Sequence, residues 1–160
     1  QSLWVDASVY MKNVHTVVLK DCVVLSAWHL ATLGTKVHTL YIQNSNLELR
    51  WLNIIPSLQH LRLVGCCESI STLPTLPDLL TLDLTHSNLS CVQQQPNLRY
   101  LRVHIDFCHT LEHLPQLQQL ILTDSTTFPK TTSSIPEIHI GQLPQLQKIH
   151  ASHTYIRYNK

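Results

Sequence analysis

The sequence predicts an α/β-type repeat solenoid, about seven short coils stacked side by side, each supplying one strand to a parallel sheet. Three observations predict it. An apolar skeleton, apolar-x-x-apolar-x-apolar, begins at positions 14, 37, 58, 79, 98, 117 and 146. A small polar residue follows each skeleton three positions later. A proline stands two residues ahead of five of the seven skeletons, at Pro56, Pro77, Pro96, Pro115 and Pro144. The steps between starts are 23, 21, 21, 19, 19 and 29 residues, and self-similarity at such a period is the mark of a stacked-repeat architecture.

The last apolar residues of each skeleton alternate with polar ones, as in His60-Leu61-Arg62-Leu63-Val64. A period of two predicts a strand of about five residues buried on one side only. One coil cannot cover its own apolar row, so the neighbours must cover it. The polar column reads Cys22, Ser45, Cys66, Ser87, Asp106, Ser125 and Thr154. These are short side chains able to pair backbone groups where the chain turns off the strand, groups that burial would otherwise leave unpaired. Proline lacks an amide hydrogen and is tolerated at a strand's approach but not within a ladder. It also drives the preceding residue into an extended form, so each Pro-x-Leu is expected to end a return segment and launch the next strand.

Two stretches depart from the pattern. Residues 1–13, with LWVDASVY alternating like a strand, lie too close to the first skeleton for another full coil and are read as a capping strand or partial repeat. Residues 123–134, TDSTTFPKTTSS, lengthen one repeat to 29 and are read as an exposed Ser/Thr-rich loop. The repeat domain is thus 14–160, and its ends are expected to be covered by further repeats or by a partner chain.

The skeleton and its polar column resemble the leucine-rich repeat family over residues 14 to 158. The resemblance implies a sheet on a concave face, short irregular or 3-10 convex segments, and a non-enzymatic role in binding a protein ligand on the concave side. That family favours asparagine or cysteine at the polar position and tolerates serine and threonine. Asparagine never occurs there in this chain, which implies a weaker ladder.

The outward residues of the strands would address that ligand. Tyrosine and arginine are the types that most often anchor interfaces. Tyr41, His60, Arg62, Asp83, Tyr100, Arg102 and His104 form one contiguous block over four strands and are the expected partner site. Charged residues make up 13% of the chain and the formal net charge is +1. That balance offers no electrostatic reason for a nucleic-acid partner, and no apolar run is long enough for a membrane span. Eleven histidines against six lysines make protonation the main source of added charge on acidification.

Other motifs are weaker. His109-Thr110-Leu111-Glu112-His113 matches H-x-x-E-H, an inverted zinc-peptidase signature. Zinc chemistry needs a helix holding both histidines and a third ligand. Here Leu111 and Leu114 belong to the core, so a zinc hydrolase is only a remote alternative, and no metal or other cofactor is expected. Cys22 and Cys66 stand two strands apart, about 10 Å, too far to bridge. Cys108 replaces a core leucine. The register leaves a Cys91–Cys108 bridge open, while Cys67 has no structural role. Asn88-Leu89-Ser90 is the one glycosylation sequon. Low charge, few lysines, the Ser/Thr-rich loop and irregular repeat lengths resemble extracellular recognition proteins, so the expected setting is a secreted recognition protein of immune or receptor type, with a cytoplasmic adaptor or regulatory subunit as the alternative.

Overall fold

The computed structural model describes residues 14–22, 31, 36–45, 49–66, 73–85, 95–104, 111, 114–123 and 143–151. Wherever the skeleton alternates, the backbone is extended: β1 (Thr16–Lys20), β2 (Thr39–Gln43), β3 (His60–Val64), β4 (Thr81–Thr85), β5 (Tyr100–His104), β6 (Gln119–Thr123) and β7 (Lys148–Ala151). All seven form one parallel sheet in chain order. The fold is a repeat solenoid.

The register never slips. Val17, Leu40, Leu61, Leu82, Leu101, Leu120 and Ile149 face one another strand by strand. A one-residue shift would turn every inward leucine to solvent, so burial of one face alone specifies this pairing. The inward row joins the first skeleton positions Val37, Leu58, Leu79, Leu98 and Leu117 and the return-segment residues Leu49, Leu52, Leu73 and Leu111 in one continuous core. Leu146, Ile149 and Ala151 of the last coil are only half-buried, because no described strand follows to cover them.

Each of the five prolines ahead of a skeleton sits at the second position of a tight turn. The amides of Leu58, Leu79, Leu98, Leu117 and Leu146 donate to the carbonyls of Ile55, Leu76, Gln95, Leu114 and Leu143 at 3.1–3.3 Å. A pyrrolidine ring sets the φ this position needs and has no donor to waste there. The turn then aims the following leucine into the core. The coils are joined just before the strands by a shared acceptor: the carbonyl of His15 takes the amides of both His38 and Thr39. The carbonyls of His38, Gln59, Leu80, Arg99 and Gln118 do the same for the next coil, all at 2.8–3.1 Å.

Beyond the strands, Asp21, Asn44 and Gly65 adopt φ of 53°, 47° and 63°. These stacked left-handed residues turn the chain sharply and bring the next residue inward. That next residue belongs to the polar column: Cys22, Ser45 and Cys66. The Ser45 hydroxyl accepts from the Cys22 amide at 3.0 Å and donates to the Gln43 carbonyl at 2.8 Å. The Cys66 thiol lies 3.6 Å from the carbonyls of Ile42 and Val64. Neither Cys22 nor Cys66 is part of a disulfide.

The return side carries one residue the repeat pattern does not foresee. Gln95 replaces an apolar residue at the position held by Ile55, Leu76, Leu114 and Leu143, and is fully buried. Its Oε1 accepts from the Leu76 amide at 3.0 Å and its Nε2 donates to the Pro74 carbonyl at 2.8 Å. Ser57 and Asn97, each one residue after a proline, donate to the carbonyls of Val37 and Pro77 in the preceding coil at 3.0 and 2.8 Å. A 3-10 segment, Leu49–Ile54, returns the second coil and buries Leu49 and Leu52.

One boundary shifts. Thr123 does not open the long loop but ends β6, where its hydroxyl donates to the Val103 carbonyl at 3.3 Å. The capping segment 1–13, the rest of the loop, the ladder residues Ser87, Asp106, Ser125 and Thr154, and Cys67, Cys91 and Cys108 lie outside the described residues.

Candidate functional site on the open sheet face

All seven residues of the expected partner site stand on the outward face of β2–β5. The strand period places Tyr41, Arg62, Asp83 and Arg102 in the central column, each directly opposite the next. His60 and Tyr100 stand two residues to the N-terminal side of that column and His104 two residues to the C-terminal side. Every one of the seven keeps part of its surface accessible.

The central column is an electrostatic chain. The Arg62 guanidinium lies over the Tyr41 ring, 4.9 Å from its centre, and its Nε reaches Asp83 Oδ2 at 3.2 Å. Arg102 approaches the same oxygen from the other side, with Nη1 at 3.9 Å. The Thr85 hydroxyl donates to Asp83 Oδ1 at 2.5 Å. The carboxylate, with a side chain 16% exposed, is thus held from three directions. A planar guanidinium suits both contacts, since it stacks on a ring and donates in a fixed fork. On the far side of Tyr41, the Lys20 ammonium stands 6.0 Å from the ring centre, and the phenol donates to Gln43 Oε1 at 3.4 Å.

Around this chain the remaining site residues are less connected. His60 Nδ1 lies 2.8 Å from the Thr81 hydroxyl. Tyr100 and His104 are half-buried. The pairing of one aspartate with two arginines was legible in part: their signs alternate at matching positions of successive repeats. Lys20 and Thr85 were missed as members, because each stands two residues from the central position and reaches the column only through its side chain.

The other candidates stand apart. Leu111 and Leu114 are buried as core residues, while His109, Glu112 and His113 lie outside the described residues, as does Asn88. Among the described residues no three His, Cys, Asp or Glu side chains gather as metal ligands. No described helix is long and apolar enough to cross a membrane.

A scan against protein-family models and a search of curated proteins return no match to this chain.

Proposed function

We propose that this chain is a recognition module of leucine-rich repeat type, which binds a protein ligand on the open, concave face of its sheet and performs no catalysis. The observation that carries the reading is the block of Tyr41, Arg62, Asp83, Tyr100 and Arg102 on adjacent strands of one parallel sheet. Aromatic and arginine side chains held in place on a regular scaffold lose little freedom on binding. The face is shallow and accessible, which suits a macromolecular surface better than a small substrate that must be enclosed.

The test is affinity capture with the 160-residue chain immobilised. A Tyr41→Ala/Tyr100→Ala/Arg102→Ala variant should lose the captured ligand, while an Asn53→Ala/Gln116→Ala variant on exposed positions outside the sheet should keep it. Capture that survives the first variant overturns the reading. Secretion belongs to the same proposal. Intact mass before and after reduction reads it: sugar at Asn88 supports an extracellular module, whereas five reduced thiols without sugar support the intracellular adaptor.

A further inference from the structure

The charge of this chain is not spread evenly, and its placement says what kind of ligand the open face suits. Of 11 lysines and arginines and 10 aspartates and glutamates, four cations but a single carboxylate stand outward on the seven strands. They are Lys20, Arg62, Arg102 and Lys148 against Asp83. The remainder of the chain therefore carries seven cations against nine anions. A molecule nearly neutral as a whole turns a positive face outward from its sheet.

Asp83 does not cancel this field. It is less accessible than either arginine beside it, with 16% of its side chain exposed against 49% for Arg62 and 37% for Arg102. Its carboxylate is spent on orienting the two arginines. Arg102 Nε is shielded from water and has no hydrogen-bond partner among the described residues. The two arginines rise from strands two apart and converge on one oxygen of Asp83, with Arg62 Nε at 3.2 Å and Arg102 Nη1 at 3.9 Å. Between Lys20 and Arg62 lies the Tyr41 ring.

We infer that the open face takes an acidic protein segment, one that places aspartate or glutamate carboxylates against Arg62 and Arg102 and crosses β1–β5 over Tyr41. The inference rests on the reading of this face as the ligand site and names the ligand's chemistry. Opposed charge steers such a segment in and sets its register, and desolvated guanidinium–carboxylate pairs hold it.

The test is selection of a random 15-residue peptide display library on the intact chain, then fluorescence anisotropy with the best synthetic peptide. The expected result is enrichment in aspartate and glutamate and an affinity that falls as salt rises. Arg62→Gln and Arg102→Gln should each weaken binding about fivefold. Asp83→Asn should tighten it, since it removes the one carboxylate that stands outward on the described strands; a role confined to structure would not give that sign. Thermal unfolding of each variant, unchanged within a few degrees, assigns the losses to the face. Neutral or basic peptides that depend on Tyr41 and Tyr100 but ignore both arginines overturn this inference and leave the ligand site standing. A selection whose peptides ignore every open-face substitution overturns both.

Discussion

Replacing Gln95 with leucine sets two lines of reasoning against each other. Four other coils place Ile55, Leu76, Leu114 and Leu143 at that position, so agreement with the repeat pattern argues that leucine would stabilise. The structure argues the opposite. Gln95 is fully buried and bridges to the preceding coil through the Leu76 amide at 3.0 Å and the Pro74 carbonyl at 2.8 Å. Each bond contributes about 1 kcal/mol net, and an amide orphaned in a buried site costs about 1–3 kcal/mol. Leucine returns most of the volume and avoids burying an amide, which offsets about 1 kcal/mol. Gln95→Leu is therefore expected to destabilise by about 2–4 kcal/mol, and Gln95→Ala by about 1–2 kcal/mol more through the cavity it leaves. Urea unfolding followed by far-ultraviolet circular dichroism measures the first quantity. Hydrogen exchange at the Leu76 amide locates it, with protection expected to fall at least tenfold. A leucine variant at or above parental stability, with Leu76 protection unchanged, would refute the argument.

Three further outcomes test the turns and the ladder. Gly65→Ala should destabilise by about 1–2 kcal/mol in thermal unfolding, since φ is +63° and the new Cβ would meet Asn44 Oδ1 at 2.7 Å; the Asn44–Asp21 bond of 3.1 Å would be disturbed with it. Ser45→Ala should cost about 1–2 kcal/mol by removing the acceptor of the Cys22 amide and the donor to Gln43, whereas Ser45→Cys should keep most of the stability; equal losses for the two would count against the ladder. Iodoacetamide should alkylate Cys22 well before Cys66, which is 1% exposed, and equal rates by mass mapping would contradict the burial of the Cys66 thiol.

The open face was legible from the sequence to an unusual degree, and the reason is periodicity. Once seven skeletons share one spacing, the residue between two inward leucines must point outward, so Tyr41, Arg62, Asp83 and Arg102 fall in one column before any coordinates are known. What the pattern could not supply is how those side chains partner. Whether Asp83 would pair with Arg62, with Arg102 or with both depends on rotamers and on the Thr85 hydroxyl. Gln95 was opaque for the same kind of reason. A glutamine in an apolar column reads as an exposed exception, until the preceding coil is seen to present a donor and an acceptor at the distances an amide spans.

The sequence by itself determined the number of strands, their five-residue core, their parallel order and the face each residue occupies. All of these follow from local alternation repeated at a regular step, and a single slip would expose the whole leucine row. The tertiary structure alone decided the contacts between coils: the stacked left-handed turn at Asp21, Asn44 and Gly65, the buried Gln95 bridge, and the two arginines held by one aspartate. Those contacts join residues about 20 positions apart in sequence, and distances across a stack are set by the packing of whole coils. No residue carries that information alone.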